Sequence, residues 1–597
     1  MTETRASMEL DPSQLAVVEA DADARLLVTA GAGQGKTEVV AGRVAHLVEE
    51  EALSASTEIM VLSFSRAAVH AVRSRLEARD IAKTDVRTFD SLASHLLAQN
   101  DIEPTGDFDH RIRQAIRLLD DDSTDVEGLE DIAHVILDEV QDLVGDRADM
   151  VLGLLGRLGA DVGFTALGDP LQGIYDFTLA DSHSKTSSAE FMEQLAIRFG
   201  ARRVELEKNY RARGAFPLGV IDLGLRIRDE VEGPADEIIS TFERTLPHSG
   251  TITEWRFLEQ YTTGVTAILC NSNAEVLLVS RSLTTQDISH VVRRPAQDFG
   301  AARWVGEVFE GLAGPDVARS TVEAAIEKRL PADLRDEAWY LLKGAEGKSR
   351  SPNQLSLQRL RSLIAAGTVP LTLVERDTSR VIVSTIHRAK GLEFERAFLV
   401  HPNYTFEEES EWPAIRRMYV ALSRARDDVA VIDIPDDRTW FKNVRGRMCE
   451  MRRGKNNNYV RAMELTARDV RDDSPPPMEP HRLVEMQRNL AAVSPGEAVT
   501  GFFDPTSTMS AQEPVFVLST GSGELLGVTD RRLGRHLSYN FGYRFRDGWD
   551  GATLEDLTLV SIDTVATDPR STAQAGLGDS GLWLVPRVFG LVTPAQG

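Results

Sequence analysis

The chain contains very little cysteine and no long apolar segment, and both features narrow its class. Only Cys270 and Cys449 occur among its 597 residues, which excludes a disulfide framework and a cysteine-rich zinc or iron–sulfur site. No apolar run approaches the roughly 20 residues that a transmembrane helix needs. The first five residues, Met-Thr-Glu-Thr-Arg, lack the apolar region of a secretory signal. We therefore expect a cytoplasmic protein without a membrane partner.

Basic residues are also scarce relative to acidic ones. The chain has 67 Lys and Arg against 92 Asp and Glu, for a formal net charge of -25. As a global average this charge argues against a nucleic-acid partner, because phosphate affinity comes from clustered Lys and Arg. The excess is uneven, however, since eleven acidic residues and only three arginines lie between Asp101 and Asp131. The distribution of charge therefore matters more than its sum.

The length predicts several domains, because a single core rarely exceeds about 250–300 residues. Apolar strand-like runs alternate with helical stretches, a pattern typical of parallel α/β sheets. We predict a first core over 1–203 with a minimal acidic insertion at 98–133, and a second core over 204–450 with a helical insertion at 286–373. The predicted strands are Arg25–Thr29, Glu58–Phe64, His134–Leu137, Val162–Leu167, Val276–Ser280, Val381–Thr385, Ala397–Val400 and Val429–Ile434.

The alternation stops after Ile434, and the last part of the chain reads differently. Pro475–Pro477 favours an extended linker, which we place at 451–495. Short β-like runs then predict a small β-rich domain over 496–597, with a hairpin turn at Gly521–Gly523. The basic and aromatic interval from Arg531 to Phe545 is open to three interpretations: a nucleic-acid contact, an exposed loop without a ligand, or a docking surface for a protein partner.

A glycine-rich turn, Ala30–Thr37, is the most informative segment of the chain. It ends in Gly-Lys-Thr between an apolar strand and a helical stretch, which is the context of a phosphate-binding loop. Gly33 and Gly35 allow backbone N–H groups to approach phosphates, and the following helix N-terminus adds favourable potential. Lys36 is predicted to reach the β- and γ-phosphates of ATP, and the Thr37 hydroxyl to ligate Mg²⁺.

Two further strand ends supply the groups that phosphate cleavage requires. Asp138 and Glu139 follow the predicted strand His134–Leu137, so Asp138 is a candidate Mg²⁺ ligand and Glu139 a candidate to polarise water. Gln172 follows the strand at Val162–Leu167, where it is predicted to sense the γ-phosphate. The sequence therefore predicts an ATP hydrolase with ATP and Mg²⁺ as its ligands.

Together these motifs resemble the UvrD/Rep-like branch of the superfamily 1 DNA helicases. The pattern Asp-Glu-x-Gln-Asp at 138–142 is followed by Gly-Asp-x-x-Gln-x-Ile-Tyr at 168–175. Five more segments match in family order: Leu10–Gln14, Val61–Ala68, Asn209–Arg211, Ser384–Phe394 and Tyr419–Ala425. The resemblance implies two RecA-like parallel-sheet cores of the P-loop NTPase type.

The resemblance also implies further nucleotide contacts. Gln14 matches the adenine-reading glutamine, Tyr210 the residue that stacks on adenine, and Glu393, with Gly391 in the same motif, the ribose contact. Arg211 and Arg424 match arginines of the second core. Because guanidinium groups neutralise charge on a transferring phosphoryl group, arginines of this kind contribute on the order of 10³–10⁵ in rate.

For the polymer track, the resemblance implies single-stranded DNA or a tailed duplex, with 3′-to-5′ movement. The DNA-contacting residues that the resemblance implies are Ser63, Phe64, Thr88, Phe177 and His387. Unpaired bases stack on aromatic rings with little sequence preference, so RNA is an alternative track. Asp90 stands where relatives usually have histidine, and an acidic group is unfavourable beside phosphates.

The chain departs from full-size relatives in its insertions. The first accessory subdomain is nearly absent, because His134 follows Leu97 by only 37 positions, and the second is small. Translocation is therefore better supported than efficient strand separation. The alternative from another class is an ATP-switched remodeller of a protein or nucleoprotein complex that docks through the C-terminal module.

Overall fold

A computed structural model of the chain describes residues 10–81, 84–121, 123–180, 182–229, 234–253, 263–293, 300–346, 351–374, 379–401, 411–434, 440–454 and 458–596. The fold class is confirmed: two RecA-like α/β cores with parallel sheets are accompanied by a C-terminal antiparallel sheet. The chain divides into two compact units. Unit 1 comprises 1–246, 390–395 and 404–429, and unit 2 comprises 247–389, 396–403 and 430–597. Within the described ranges no helix is both long and apolar enough to cross a membrane.

The elements up to residue 251 are short and alternate in type. The helices are α1 Pro12–Val18, α2 Lys36–Glu49, α3 Arg66–Glu77, α4 Phe89–Gln99, α5 Phe108–Asp120, α6 Asp146–Leu158, α7 Ser188–Ile197, α8 Ala215–Asp229 and α9 Ala235–Glu243. The strands are β1 Arg25–Thr29, β2 Ile59–Ser63, β3 Asp85–Thr88, β4 His134–Asp138, β5 Gly163–Gly168, β6 Arg202–Glu205 and β7 His248–Thr251.

From residue 266 onward, helices and strands first mix and then give way to strands. The helices are α10 Asn273–Thr285, α11 Arg303–Phe309, α12 Arg319–Arg329, α13 Ala332–Glu346, α14 Leu357–Ala365, α15 Ile386–Ala389, α16 Glu411–Leu422, α17 Pro480–Ala492, α18 Arg531–Phe541 and α19 Pro569–Gln574. The strands are β8 Thr266–Cys270, β9 Val291–Val292, β10 Ala301–Ala302, β11 Asp316–Ala318, β12 Gln354–Ser356, β13 Val381–Thr385, β14 Phe394–Val400, β15 Ala425–Asp433, β16 Trp440–Val444, β17 Arg447–Arg453, β18 Asn458–Leu465, β19 Ala498–Phe503, β20 Phe516–Thr520, β21 Leu525–Val528, β22 Ala552–Ala566, β23 Leu582–Val592 and β24 Pro594–Gln596.

The first sheet lies in unit 1 and has the order β3-β2-β4-β5-β1-β6. All its strand pairs are parallel. Its central strands are nearly continuous apolar runs, because helices cover both faces: α1 to α3 on one side and α4 to α7 on the other. The carboxyl ends of β1, β4 and β5 meet at one edge, and this edge carries the site.

The predicted boundary at 203/204 is not the boundary that the structure has. Strand β6 pairs with β1 as the edge of the first sheet, and the chain stays in unit 1 as far as Leu246. The acidic segment at 98–133 contains α5, whose apolar side buries Ile112, Ala115, Leu118 and Leu119. Their spacing at i, i+3, i+6 and i+7 places these four side chains on one helical face. The segment is therefore part of the core of unit 1.

The second sheet has the order β7-β15-β14-β8-β13-β9. The prediction of a strand at Val276–Ser280 is wrong, because these residues lie in α10, and the strand is β8, ten residues earlier. A short apolar run fits a buried strand and a buried helix equally well. The helix is selected at its start, where the Ser272 side chain accepts a hydrogen bond from the Glu275 backbone N–H at 3.2 Å.

The antiparallel sheet of unit 2 runs β16-β17-β18-β23-β22-β19-β20-β21, with β10 and β24 also paired to β22. The prediction of a linker at 451–495 is therefore wrong at β17, β18 and α17. Apolar residues of these elements, such as Met463, Leu465 and Leu483, are buried in the core of the sheet. The predicted hairpin turn at Gly521–Gly523 does connect β20 to β21.

The helical insertion is confirmed, and it packs against this antiparallel sheet. Helices α11 to α14 share an apolar cluster that includes Phe309, Trp339 and Leu360. Strand β10 pairs with β22, and the Thr564 hydroxyl donates to the Ala302 carbonyl at 2.8 Å. The interval from Arg531 forms a helix, α18, rather than a loop, because Leu533, Leu537 and Phe541 bury one helical face.

Candidate nucleotide-binding site

The phosphate loop joins β1 to α2 and adopts a left-handed backbone at two glycines. Gly33 has φ +78° and Gly35 has φ +77°, conformations that side chains rarely adopt. A Cβ atom at Gly33 would lie 2.4 Å from Nδ2 of Asn209, and one at Gly35 would lie 2.7 Å from Nε2 of Gln14. The Asn209 amide donates to the Ala32 carbonyl at 2.9 Å. Glycine is thus required at both positions for backbone shape and for space.

Lys36 is the first residue of α2, so its side chain and the free N–H groups of the first helical turn both lie at the phosphate loop. Its Nζ donates to the Ala30 carbonyl at 3.1 Å and lies 3.9 Å from Oε1 of Glu139. Ala30, which replaces the usual leading glycine, is fully buried. Because Lys36 contacts the backbone carbonyl of Ala30, this hydrogen bond does not depend on the side chain at position 30.

Asp138 ends β4 and is buried. Its Oδ2 accepts from the Ser63 hydroxyl at 3.1 Å, whereas its buried Oδ1 has no hydrogen-bond partner among the described residues. Burial raises the pKa of this carboxyl, and neighbouring Glu139 raises it further. An orphaned carboxylate oxygen fits a divalent cation or its water, so Asp138 and Thr37 would hold Mg²⁺ that arrives with ATP.

Ser63 is a predicted DNA contact, and the structure places its side chain against Asp138. Ser63 is wholly buried at the end of β2, and its hydroxyl is engaged by Asp138. Within the part of the chain that the structure describes, no group of three or more His, Cys, Asp or Glu side chains could hold a metal ion alone. This result is compatible with Mg²⁺ held mostly by phosphates and water.

Glu139 follows Asp138 with φ +57°, an uncommon conformation for a residue with a side chain. The turn directs its carboxylate toward Lys36, and its Oε2 accepts from the Gln141 amide. Burial tends to raise the pKa of Glu139, but Lys36, Lys390 and the Gln141 hydrogen bond together hold it below its usual value. Glu139 therefore remains ionised and able to accept a proton from water.

Gln172 connects the end of β5 to an arginine. Its Nε2 donates to Oδ2 of Asp169 at 2.8 Å, and its Oε1 accepts from Nη2 of Arg424 at 3.1 Å. Arg424 is only 1% exposed and also donates to the Leu392 carbonyl at 3.3 Å. Burial, followed by the charge of Arg211, lowers the pKa of Arg424 to about 10, which leaves it cationic at neutral pH.

Arg211 and Glu393 lie together in the same cavity. Nη2 of Arg211 is 2.6 Å from Oε1 of Glu393, and Nη2 of Arg426 is 2.6 Å from Oε2. Nε and Nη1 of Arg211 are buried without a hydrogen-bond partner in the described ranges. Guanidinium N–H groups without a partner are suited to donate hydrogen bonds to an anionic ligand. Contrary to the prediction, Arg211 and Arg424 belong to the same compact unit as Lys36.

Tyr210 lies beside the glutamine of α1. Its hydroxyl donates to Oδ2 of Asp11 at 2.9 Å and to Oε1 of Gln14 at 3.3 Å. Gln14 is buried and donates from Nε2 to the Gln34 carbonyl at 3.0 Å. The ring of Tyr210 lies beneath Nζ of Lys208, 5.0 Å from the ring centroid. This arrangement offers an aromatic face and an amide next to the phosphate loop.

The structure gathers nearly all the predicted nucleotide residues around one cavity of about 640 Å³, a volume suited to a nucleotide-sized ligand. Gln14 lies behind its wall, bonded to the loop. The predicted residues that line it are Gly33, Gly35, Lys36, Thr37, Asp138, Glu139, Gln172, Tyr210, Arg211, Gly391, Glu393 and Arg424. Every one of them belongs to unit 1.

An aromatic run extends from this cavity to the surface. Phe64 lines the cavity and stacks on Tyr175, with ring centroids 5.3 Å apart and planes 23° apart. Phe177 lies 6.4 Å from Tyr175 and is 64% exposed. Lys390 places Nζ 5.0 Å from the Tyr175 ring and bonds to Asp142 and to the Gln172 carbonyl.

Tyr175 and Lys390 were not singled out from the sequence, although both lie inside the recognised motifs. Nothing in their own residue type marked them, since their role arises from contact with each other. Of the remaining predicted DNA contacts, Thr88 caps α4 by accepting from the Ser91 N–H at 3.2 Å. Asp90, where relatives have histidine, pairs with Arg147 at 3.0 Å. His387 lies in α15, half-buried in unit 2.

Comparison with known proteins agrees with this geometry. The sequence matches the UvrD/REP helicase N-terminal domain at residues 10–105 and the UvrD-like helicase C-terminal domain at residues 380–432. No curated protein matches it at a significant level.

Solved structures of Pif1 helicases are similar over much of the chain. The Candida albicans Pif1 helicase is 15% identical, with a TM-score of 0.35, over 71% of this chain and 95% of that one. The Bacteroides Pif1 helicase, solved with ADP-AlF3 and single-stranded DNA, is 13% identical, with a TM-score of 0.34, over 71% and 92%.

Each of the two family matches contains residues that line the nucleotide cavity. The first contains the phosphate loop with Lys36 and Thr37, and the second contains Glu393 and Arg424. Residues that line the nucleotide cavity therefore lie in both segments of the chain that are similar to domains of UvrD-type helicases.

Proposed function

We propose that the protein hydrolyses ATP to move along single-stranded DNA in the 3′-to-5′ direction. The observation that carries this proposal is the aromatic run Phe64–Tyr175–Phe177, which begins in the nucleotide cavity and ends at an exposed ring. Unpaired bases stack on such rings with little sequence preference, at about 1–3 kcal/mol per base. A motor that advances along any sequence needs contacts of this kind.

In this proposal each residue of the cavity has one task. Tyr210 holds the adenine while Gln14 positions the Tyr210 hydroxyl from behind the cavity wall, Lys36 binds the β- and γ-phosphates, and Thr37 with Asp138 holds the Mg²⁺ that accompanies ATP. Glu139 takes a proton from the attacking water, because its carboxylate stays ionised beside Lys36. Gln172, Arg211 and Arg424 stabilise the charge on the transferring phosphoryl group.

A direct contact between the nucleotide cavity and the aromatic run supports the proposal. The ammonium of Lys390 contacts the Gln172 carbonyl on one side and the Tyr175 ring on the other. A shift of Gln172 on loss of the γ-phosphate would therefore reach Tyr175 directly, and Phe64 and Phe177 through it. Because residues 98–133 form part of the core of unit 1 rather than an accessory subdomain, we also propose that translocation exceeds strand separation.

The first experiment measures ATP turnover by the whole chain with and without oligo(dT). Stimulation by single-stranded DNA supports the motor, and stimulation by RNA alone would move the track to RNA. An unchanged rate with both polymers overturns the proposal and favours the remodeller. The variant Phe177→Ala should weaken the stimulation, whereas Phe108→Ala, which removes another exposed ring of unit 1, should not.

A second experiment measures direction and strand separation separately. Oligonucleotides with biotin at either end carry streptavidin, and the chain should displace streptavidin faster from the 5′ end. A faster displacement from the 3′ end would reverse the assigned direction. Strand displacement on a 3′-tailed duplex should be slow relative to this movement. Rapid unwinding would contradict the reduced role of the accessory segments.

A further inference from the structure

Unit 2 carries a second concentration of arginine and aromatic side chains. We define it as the arginine–tyrosine surface, made by Arg445, Tyr459, Tyr539, Tyr543 and Arg544. It forms where α18 packs on the β16–β18 meander through buried Leu537 and Phe541. The surface belongs to unit 2 alone, whereas the nucleotide cavity belongs to unit 1.

Its charge is opposite to that of the whole chain. Residues 440–465 and 531–546 together contain twelve Lys and Arg but only two Glu and no Asp, in a protein of net charge -25. Within the described ranges, four of the twelve basic residues pair with carboxylates: Arg447 and Arg532 with Asp469, Arg461 with Glu450, and Arg535 with Glu513. None of these pairs involves Arg445 or Arg544. Glu450 is fully buried and pairs with Arg281 and Arg461, both at 2.9 Å. Glu464 is engaged by the Met448 backbone N–H at 3.2 Å.

Among the residues that the structure describes, Arg445 and Arg544 have no carboxylate partner and lie beside aromatic rings, and Nε of Arg544 also donates to the Tyr543 hydroxyl at 2.9 Å. The guanidinium carbon of Arg445 is 3.6 Å from the Tyr539 ring centroid. That of Arg544 is 5.5 Å from Tyr543 and 6.0 Å from Tyr459. Tyr539 is 55% exposed and Tyr543 is 51% exposed. Nearby Arg452, Arg453 and Arg546 are also exposed.

Arginines without a carboxylate partner, placed next to exposed aromatic rings, suit a ligand that carries both anionic groups and flat rings. Phosphates satisfy guanidinium groups with strong, charge-assisted hydrogen bonds, and unpaired bases stack on tyrosine and arginine planes. Duplex nucleic acid offers phosphates but keeps its base faces stacked internally. An acidic polypeptide offers carboxylates without π-faces. The combination therefore fits a single-stranded nucleic acid better than either.

We propose that the arginine–tyrosine surface is a second binding site for single-stranded nucleic acid, independent of the nucleotide cavity. Arg445 and Arg544 contact the phosphates, and bases stack on Tyr539 and Tyr543. This inference does not require that the protein translocates, because it concerns binding without ATP.

The test uses fluorescence anisotropy of labelled 20-nucleotide oligo(dT) on the full chain without ATP. The chain carries Phe177→Ala, so that the exposed ring of the aromatic run in unit 1 contributes less to oligonucleotide binding. Adding Tyr539→Ala with Tyr543→Ala should raise the Kd about tenfold. Adding Arg445→Ala with Arg544→Ala should raise the Kd and also reduce its dependence on salt. The matched pair Arg482→Ala with Arg488→Ala, exposed arginines of α17, should leave both quantities unchanged.

Controls keep the outcome specific. Tyr539→Phe with Tyr543→Phe preserves the rings and should retain the affinity, and thermal unfolding should be the same for all variants because the altered side chains are exposed. Photocrosslinking of 4-thiothymidine oligonucleotides should label the chain at Tyr539 or Tyr543. Oligo(U) in place of oligo(dT) distinguishes RNA from DNA as the occupant.

The proposal would be overturned by an unchanged Kd in both surface variants, by the absence of crosslinks at both Tyr539 and Tyr543, or by equally tight, tyrosine-dependent binding of a blunt duplex. Displacement of oligo(dT) by polyglutamate at equal charge would also overturn it, in favour of an acidic protein. The ATPase measurement tests the motor separately, so failure of either idea is visible without the other.

Discussion

Nη2 of Arg424 donates to Oε1 of Gln172 at 3.1 Å, while Nε2 of the same glutamine donates to Asp169 at 2.8 Å. The two bonds fix the amide orientation, because a reversed amide would place donors against Arg424 and an acceptor against Asp169. Gln172 therefore holds Arg424 at the wall of the nucleotide cavity. This hydrogen bond therefore joins Arg424, which precedes β15, to Gln172, which follows β5.

This pair leads to the first prediction. Arg424→Lys removes the planar guanidinium that reaches Gln172 and the Leu392 carbonyl. The kcat for ATP should fall by about 10³, as for arginines of other phosphoryl-transfer enzymes, with a smaller change in ATP affinity. Steady-state turnover and nucleotide binding test this, with Arg417→Lys on α16 as the control. Turnover within threefold of the unaltered chain would remove Arg424 from the catalytic group.

Lys36→Ala should abolish ATP turnover. The substitution removes the only ammonium of α2's first turn and leaves Glu139 without its partner at 3.9 Å. Phosphate binding weakens because the positive charge facing the β- and γ-phosphates is lost. Isothermal titration and a phosphate-release assay check the two effects, and Lys328→Ala, an exposed lysine of α12, is the control. Full turnover in Lys36→Ala would refute the site.

Glu139→Gln should separate binding from cleavage. The amide keeps the size of the side chain but cannot accept the proton of the attacking water, so hydrolysis should fall by about 10²–10⁴. ATP affinity should change little, because no phosphate contact is assigned to this carboxylate. Rapid-quench kinetics and binding of a fluorescent ATP analogue measure the two quantities. Glu193→Gln, on the surface of α7, should behave like the unaltered chain.

Gly33→Ala and Gly391→Ala form a matched pair, since both glycines line the cavity with nearly equal positive φ, +78° and +79°. Both substitutions incur about 1–2 kcal/mol of backbone strain. Only Gly33→Ala adds a collision, with its Cβ 2.4 Å from Nδ2 of Asn209, whereas open space surrounds Gly391. ATP affinity should therefore fall much further in Gly33→Ala. Equal losses in both variants would show that backbone strain alone decides.

Because His134 is buried, we expect it to make the free energy of unfolding fall at acid pH. It is buried in β4 between the Ala22 carbonyl at 2.7 Å and the Thr165 hydroxyl at 3.0 Å. Burial, then the charge of Arg43, lowers its pKa from 6.5 to about 3. The unfolded chain therefore binds a proton that the folded chain does not, and stability present above pH 6.5 is lost as the pH falls toward 3.

The expected loss from His134 is about 2 kcal/mol between pH 6.5 and pH 5, at roughly 1.4 kcal/mol per pH unit. Urea unfolding with hydrogen exchange of the β4 amides measures it. His134→Gln should flatten this part of the pH dependence, and His70→Gln, at an exposed position of α3, should not. An unaltered slope in His134→Gln would assign the acid sensitivity to other groups.

Most of the nucleotide site could be predicted because its parts are local in sequence. The turn around Gly33 and Gly35 needs glycine whatever packs around it, and Asp138 and Glu139 follow a strand whose apolar run is unmistakable. Predictions failed where a short apolar segment had two solutions, as at Val276–Ser280. They also failed where a linker was assigned around the proline run at 475–477, because the apolar residues of the flanking elements β17, β18 and α17 are buried by strands distant in sequence.

By itself, the sequence determined the loop, the carboxylates, the order of the motifs and therefore the resemblance to UvrD-type helicases, because these depend on residue type and spacing along the chain. Only the tertiary structure decided that Ser63 serves Asp138, that Glu393 pairs with Arg211, and that arginines gather on tyrosine rings at α18. These relationships join residues separated by tens to hundreds of positions. Such pairings depend on how strands and helices pack, which no local pattern encodes.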